Sequence, residues 1–237
     1  MKPTVVLVHG AFAESSSWDQ VIDRLLDAGH PAVALANPLR GVAADAASVT
    51  DHIRSLDGPI VLVGHSYGGA VITNVDPDAG EIVGLVYVAA FAPEPGDSCF
   101  ELSAVFPGST LGDALRAVPR SDGTTDVTIV QERFHEQFCA DVPSSQAARM
   151  AATQRPVAQE ALVERSGERP LWKELPSWFV FGEEDRNIPK AVEHYMAERA
   201  QAHRTIEIPG ASHAVPAAHP GTAAGLILEA AALHAAA

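Results

Sequence analysis

The segment Gly64-His65-Ser66-Tyr67-Gly68 has the spacing of a nucleophile elbow, the pattern G-x-S-x-G. It follows the apolar run 60–63, which is typical of a buried strand, and precedes a helical pattern over 68–75. A serine on so tight a strand-to-helix turn is exposed at the carboxyl edge of a sheet, and the flanking glycines let strand and helix approach closely. The pattern therefore predicts Ser66 as the nucleophile of an acyl transfer.

A serine hydroxyl is a weak nucleophile until a base takes its proton, and His213 is predicted as that base. His213 ends the loop Gly210-Ala211-Ser212, directly after the last strand candidate, which places it at the same sheet edge as Ser66. His9 and His65 stand beside glycines at strand ends, where structural or site-shaping roles are expected.

The imidazole in turn needs a carboxylate that fixes its tautomer and stabilises its charged form. Asp185 is predicted for this role because it lies on the loop between a strand over 178–181 and a helix that begins near Pro189. Glu183 and Glu184, in the same acidic turn, remain alternatives.

Acyl transfer also needs two donors for the oxyanion, and both are expected to be backbone amides. One is the amide of Tyr67, directly after the nucleophile. The other is predicted to be Ala11, after Gly10 on the loop that follows the first strand, with Phe12 as the alternative. For the segment around Ser66, the structural alternative is a glycine-rich turn that only packs. A phosphate-binding loop is disfavoured there because the segment has neither G-x-G-x-x-G nor a Walker lysine.

Short β-branched runs alternate with longer helical patterns along most of the chain. Because most runs are continuously apolar, they are typical of parallel strands covered on both faces. The alternation predicts an α/β fold with a mostly parallel, doubly wound sheet. The strand candidates are residues 5–8, 32–36, 60–63, 82–89, 178–181 and 205–208.

The helix after the first strand shows an apolar stripe that begins at Trp18. Ser17 and Gln20 have the spacing of a capping box, and Gly29 provides a stop signal. Further helices are predicted over residues 42–56, 68–75, 189–202 and 222–236.

The alternation fails between about residues 93 and 176, so we expect one domain, 1–237, with a cap inserted at 94–175. The best helical windows, 131–140, 144–154 and 157–165, predict a small helical cap before the strand that leads to Asp185. Aromatic residues are predicted to line an apolar substrate pocket beneath it, although most of them would alternatively only pack the cap against the sheet. They are Phe12, Phe91, Phe100, Phe106, Phe134, Phe138 and Trp172, and Met150 is predicted to line the pocket with them.

The composition excludes several classes of protein. The 237 residues are 47% hydrophobic with a net charge of −14, so they can form a large core, and an acidic surface disfavours nucleic acid and anionic membranes as partners. No apolar run is long enough for a signal peptide or a membrane span, which favours a cytoplasmic location. Cys99 and Cys139 match no metal or redox spacing, and no metal site is predicted.

Together these motifs resemble the α/β-hydrolase superfamily, whose members carry the nucleophile, acid and base in the order found here, Ser66, Asp185, His213. The likeness is greatest to bacterial carboxylesterases similar to the plant methylesterase and hydroxynitrile lyase branch. It implies a trimmed version of an eight-stranded sheet, a small helical cap and no cofactor. The lyases of that branch carry a threonine and a lysine at the positions of Gly10 and Ala214, so the resemblance favours hydrolysis.

The expected function is the hydrolysis of neutral, small to medium apolar carboxylic esters through an acyl-enzyme on Ser66. Hydroxynitrile-type C–C cleavage, or a non-catalytic ligand-binding protein on the same scaffold, are the alternatives. A serine at the elbow argues against the chemistry of haloalkane dehalogenases, epoxide hydrolases and dienelactone hydrolases.

Overall fold

The apolar runs form the strands of one central sheet in a computed structural model that describes residues 1–235; the predicted last residue of the final helix, 236, lies outside them. In chain order, the strands and α-helices are β1 (Thr4–Val8), α1 (Asp19–Asp27), β2 (Ala32–Leu35), α2 (Val42–Ile53), β3 (Pro59–Ser66), α3 (Tyr67–Thr73), β4 (Glu81–Ala90), α4 (Cys99–Ser103), α5 (Leu111–Ala114), β5 (Leu115–Pro119), β6 (Thr125–Ile129), α6 (Gln131–Phe138), α7 (Ser144–Thr153), β7 (Val157–Ala158), α8 (Gln159–Val163), β8 (Ser177–Gly182), α9 (Lys190–Arg199), β9 (Arg204–Ile208), α10 (Val215–Ala218) and α11 (Pro220–Ala235).

Six parallel strands form the central sheet in the order β2-β1-β3-β4-β8-β9. The chain moves outward from β1 to β2 and then returns to β3, so the direction of winding reverses at the carboxyl ends of β1 and β3. In doubly wound sheets this reversal opens a crevice in which ligands bind. The predicted fold class is confirmed, and the predicted nucleophile ends a strand beside this crevice.

Helices cover both faces of the sheet, which explains why its inner strands are apolar without alternation. On one face, α1 and α11 pack over Val5, Leu7 and Val61. On the other, α2, α3 and α9 pack over Val6 and Val8, and buried residues of the cap belong to the same cluster. Every residue of β3 is buried. Among residues 1–235, no helix combines the length and hydropathy needed to cross a membrane.

The insertion between β4 and β8 contains strands as well as helices, so the expectation of a purely helical cap is incomplete. Strands β5, β6 and β7 form an antiparallel sheet. In β6, Val127 and Ile129 are buried at alternate positions, and the turn before it contains Gly123 at φ 87°. The predicted helix over 157–165 divides into β7 and the short helix α8.

The predicted capping box at the start of α1 is wrong. Residues Ser15–Trp18 form a 3₁₀ turn, and Ser17 Oγ donates to the Glu14 carbonyl at 2.7 Å instead of capping the helix. The stop signal is present, because Gly29 adopts φ 75° directly after the end of α1. The 3₁₀ turn brings Trp18, fully buried, onto the ring of His65.

Candidate active site

Ser66 lies at the sharp turn between β3 and α3, with φ 54° and ψ −123°. This conformation is strained for a residue with a side chain, and such strain persists only where the surroundings enforce it. Gly64 makes the turn possible: a Cβ on this residue would lie 2.6 Å from backbone atoms of both Gly68 and Gly69. Strand and helix therefore approach so closely that only glycine fits between them.

Substituting alanine at this contact is expected to damage the elbow. Gly64→Ala places a methyl group against the backbone of Gly68, so we expect the free energy of unfolding to fall by about 1–3 kcal/mol. The matched control is Gly225→Ala in α11, where a Cβ would meet no atom within 4 Å. That variant should be more stable by about 0.5–1 kcal/mol, because alanine favours the helix. Urea unfolding measures both changes, and equal effects of the two variants would contradict this account.

Asp185 and His213 form a buried pair whose side chains have no exposed surface. His213 Nδ1 lies 2.6 Å from Asp185 Oδ2. The other carboxylate oxygen, Oδ1, accepts the backbone amides of Asn187 (2.7 Å) and Ile188 (2.9 Å). Because Nδ1 faces an acceptor, it carries the imidazole proton in the neutral ring. Nε2 therefore keeps its lone pair, and it has no partner among the described residues.

The two alternative carboxylates point elsewhere. Glu183 is partly exposed, binds Lys190 Nζ at 3.0 Å and accepts the Gly210 amide at 3.1 Å. Glu184 is exposed. Of the three acids in this turn, Asp185 is the one that reaches His213.

His65 supports the predicted base by binding the backbone of His213. His65 Nε2 donates to the carbonyl of His213 at 3.1 Å, and the two rings pack with centroids 4.8 Å apart. Burial lowers the pKa of His65 well below its usual range, and the nearby His213 lowers it further. His65 is therefore a neutral ring that holds the loop of His213 in place, in agreement with the site-shaping role expected from the sequence.

His9 has a comparable role beneath the loop that follows β1. Its Nε2 accepts the amide of Asn37 at 3.0 Å, so Nδ1 carries the proton and donates to the Gly10 carbonyl at 2.9 Å. Burial lowers the pKa of His9 to about 4. A neutral histidine of fixed tautomer thus sets the direction of the loop that carries Ala11.

The two predicted oxyanion donors lie on neighbouring segments. Tyr67 is the first residue of α3, so its amide is one that the helix leaves without an intrahelical acceptor. Ala11 lines the same cleft as Ser66. A Cβ on Gly10 would lie 2.6 Å from Ser66 Cβ and 3.2 Å from its Oγ, which shows how closely this loop passes the predicted nucleophile.

A buried hydrogen bond fixes the other end of Tyr67. Its hydroxyl donates to Asp45 Oδ2 at 2.8 Å, and the same carboxylate accepts the Arg40 amide. Burial raises the pKa of Tyr67, and the Asp45 charge raises it further, so the phenol stays protonated and donates. Helix α3 is thereby tied to α2, which stabilises the position of the Tyr67 amide.

Ser66 and His213 line one cleft of about 340 Å³ between the sheet edge and the cap. Phe12 and Phe91 also line it, as predicted, and Phe12 adopts φ 61°. No aspartate, glutamate, lysine or arginine is among the described residues that line the cleft. Its walls are therefore suited to an uncharged ligand.

Three of the other aromatic residues predicted for the pocket do not line the cleft. Phe134 and Phe138 stack on each other with centroids 4.9 Å apart, and Phe138 packs edge-on against the ring of His213. Trp172 donates from Nε1 to the Pro93 carbonyl at 2.9 Å and lies beneath Arg199. These side chains pack the cap onto the sheet, which is the alternative that the sequence left open.

Sequence reasoning missed much of the cleft wall. The segment 99–112 contributes half of the described residues that line the cleft, and Leu162, Asn187 and Ile188 also line it. Phe100 and Phe106 within the segment were predicted for the pocket and do line the cleft, so their aromatic side chains were the signal that the sequence offered. Asn187 carries no such signal, because its position follows from contacts with residues far away in the chain.

Glu193 on α9 is a fully buried carboxyl group behind Asp185, and sequence reasoning did not identify it. Neither of its oxygens has a hydrogen-bond partner among the described residues. Burial raises the pKa of Glu193 well above its usual range; the Asp185 charge adds to the shift, and the nearby Ala90 backbone opposes it. Burial therefore favours the protonated form of Glu193 in the folded chain.

The raised pKa of Glu193 gives a pH-dependent stability. Above about pH 4.5 the unfolded chain releases this proton while the folded chain retains it, so folding loses stability as pH rises, by up to about 1.4 kcal/mol per unit. Glu193→Gln removes this loss. The melting temperature of the variant minus that of the natural chain should therefore increase from pH 5 to pH 8. Glu198→Gln, an exposed site on the same helix, is the control and should show no such trend. A constant difference for Glu193→Gln across this range would contradict a raised pKa of Glu193 in the folded chain.

Comparisons with known proteins identify the family of the chain. A family model described as the alpha/beta hydrolase family matches residues 5–225. Among curated proteins, the chain is 37% identical over 132 residues to a carbendazim hydrolyzing esterase of Nocardioides sp. (strain SG-4G), covering 46% of this chain and 54% of that protein. It is 36% identical over 139 residues to a probable hydrolase R7 of Phoma sp., covering 52% and 57%. The chain therefore aligns with just over half the length of these two relatives.

Solved structures match over nearly the whole chain. Polyneuridine aldehyde esterase has a TM-score of 0.81 at 18% identity, with 97% of this chain and 99% of that one covered. A pyrethroid hydrolase from Sphingobium faniae JZ-2 has a TM-score of 0.76 at 21% identity, with 99% of each chain covered. At these identities the likeness demonstrates a shared fold.

Proposed function

This chain belongs to the α/β-hydrolase family, and from that membership and the site geometry we propose that it hydrolyses neutral carboxylic esters through an acyl-enzyme on Ser66. One observation carries the proposal. Ser66, at its strained turn, shares an uncharged cleft with His213, whose Nδ1 is held by the buried Asp185. These positions support the roles of nucleophile, base and orienting acid that acyl transfer requires.

The reaction would proceed in two halves. His213 Nε2 takes the proton of Ser66 Oγ as the oxygen attacks the ester carbonyl, and the amides of Ala11 and Tyr67 stabilise the oxyanion. The C–O bond to the alcohol then breaks, His213 returns the proton to the leaving oxygen, and an acyl group remains on Ser66. Water repeats the sequence, which releases the acid and regenerates the serine. Asp185 stabilises the imidazolium in both halves.

The cleft supports the substrate class. A volume of about 340 Å³ with Phe12, Phe91 and Phe106 in its wall suits a small to medium apolar ester, and the absence of charged lining residues among those described favours a neutral one. The similarity to proteins named a carbendazim hydrolyzing esterase and a pyrethroid hydrolase supports a hydrolytic activity. We place this chain in the same broad class.

A serine-reactive fluorophosphonate tests the proposal directly. Intact-protein mass spectrometry is expected to show one adduct per chain, which peptide mapping assigns to Ser66, and burst release of p-nitrophenol from p-nitrophenyl acetate is expected to show the acyl-enzyme. Ser15, which is bonded to the Leu35 carbonyl away from the cleft, supplies the matched control variant Ser15→Ala, which should still label. Absence of an adduct together with absence of turnover would favour a ligand-binding protein instead.

A further inference from the structure

Asn187 lies between the predicted acid and the cleft. Its backbone amide donates to Asp185 Oδ1 at 2.7 Å, and its carbonyl accepts from Ser109 Oγ of the cap at 2.9 Å. The residue is 3% exposed and lines the cleft together with Ser66 and His213. The backbone of Asn187 is therefore fixed from both sides, and its side chain is held at the cleft wall.

Gln137 determines which way the Asn187 amide is turned. Gln137 Nε2 donates to the Arg186 carbonyl at 2.9 Å, and its Oε1 accepts from Thr110 Oγ1 at 2.9 Å. A carbonyl oxygen only accepts, so this contact fixes the nitrogen of Gln137 on the side of Arg186. The same nitrogen reaches Asn187 Oδ1 at 2.9 Å, so the oxygen of Asn187 must face Gln137.

The nitrogen of the Asn187 side chain is left over. Asn187 Nδ2 is buried and has no acceptor among the described residues. A buried amide donor without a partner is costly, and native structures rarely keep one without a function. The orientation cannot be exchanged to satisfy it, because exchange would place two donors, Gln137 Nε2 and Asn187 Nδ2, against each other. Because Asn187 lines the cleft, a ligand bound there can supply the acceptor that completes this group.

We infer that Asn187 is a specificity-determining residue whose Nδ2 donates to a second acceptor atom of the substrate. The scissile carbonyl is already assigned to the Ala11 and Tyr67 amides, so the atom at Asn187 is a different one. The substrate class is thereby narrowed to neutral esters that carry an additional ether oxygen, carbonyl oxygen or ring nitrogen. This inference rests on the proposed ester hydrolysis, because it concerns the ligand of the same cleft.

The experiment compares esters that differ by one acceptor atom. The probes are p-nitrophenyl esters with a six-atom acyl chain, either hexanoate or its analogues with oxygen in place of a methylene at chain position 3, 4 or 5. A second pair, the 2-methoxyethyl and butyl esters of one acid, tests the alcohol side. Each kcat/KM is divided by the alkaline hydrolysis rate of the same ester, which removes differences in intrinsic reactivity.

The natural chain is expected to prefer at least one oxygen analogue over its carbon counterpart by about tenfold or more. Asn187→Ala should bring that ratio to within about twofold of one. Ser103→Ala, which removes a cleft hydroxyl already bonded to the Phe100 carbonyl, should leave the ratio unchanged. If Asn187→Ala does not fold, the ratios of the natural chain still decide.

Two results would overturn the inference. One is a set of ratios near one for every oxygen position in the natural chain. The other is an Asn187→Ala variant that loses activity equally on all esters, as a purely structural role through Asp185 would produce. Both differ from a failure of the proposed function, in which none of the esters is turned over in a Ser66-dependent way.

Discussion

Ser66→Ala is expected to lower kcat on p-nitrophenyl acetate by about 10⁴-fold or more, and His213→Ala by a similar factor. The serine variant has no oxygen to form the acyl-enzyme, and the histidine variant has no base to take the serine proton. The two losses should not add in the double variant, because each already removes the whole nucleophilic pathway. Steady-state kinetics of the three variants measures this, and turnover of Ser66→Ala within tenfold of the natural chain would contradict the proposed mechanism.

A second substitution at the same position separates lost chemistry from lost folding. Ser66 has φ 54°, a conformation that glycine adopts without the steric cost paid by a side chain. Ser66→Gly should therefore be inactive and yet more stable than Ser66→Ala, by about 1 kcal/mol. Thermal unfolding of the two variants measures the difference. If Ser66→Gly is inactive and melts at least as high as the natural chain, its inactivity cannot be due to unfolding.

The sheet was predictable because its signal is local. The runs over 5–8 and 60–63 are continuously apolar, and burial on both faces leaves no other pattern for an inner parallel strand. The positions of Ser66, Asp185 and His213 follow from the same rule, because residues that directly follow parallel strands meet at one edge of the sheet. Three short segments of sequence were thus enough to predict that the residues of the proposed triad lie at one edge of the sheet.

The cap was less predictable because its elements owe their structure to partners distant in sequence. Strand β5 is mostly exposed and has no apolar run, and it forms by pairing with β6. The position of Phe138 is set by the ring of His213, 75 residues further along (213 − 138), with which it packs. Sequence composition identified aromatic residues in the cap but could not distinguish those that pack it from those that line the cleft.

The orientation of Asn187 and the raised pKa of Glu193 were the least predictable features of the site. The orientation of Asn187 follows from its hydrogen bond with Gln137 on another element. The raised pKa of Glu193 follows from its burial without a hydrogen-bond partner among the described residues. Neither residue belongs to a short motif. Both lie next to Asp185, so the acid is embedded in a polar network that only the folded chain assembles.

Asp185→Asn is expected to lower kcat by about 10³- to 10⁴-fold while leaving the fold intact. The backbone amides of Asn187 and Ile188 need an acceptor, so the side-chain oxygen of the new asparagine should stay with them. Its NH₂ group then faces His213 Nδ1, which must become an acceptor. The imidazole proton moves to Nε2, the atom that has to accept the proton of Ser66, and the ring is held in the wrong tautomer.

The matched controls are Glu183→Gln and Glu184→Gln in the same turn, because both acids lie outside the buried pair formed by Asp185 and His213. They should retain kcat within about threefold. Circular dichroism and thermal unfolding establish that Asp185→Asn is folded, and kcat is compared on one activated ester. If Asp185→Asn kept most of its turnover, or if Glu184→Gln lost as much, the orienting carboxylate would have to be sought elsewhere. A loss confined to Asp185 would instead show that the tautomer of His213, and not the general negative charge of the loop, is what the reaction requires.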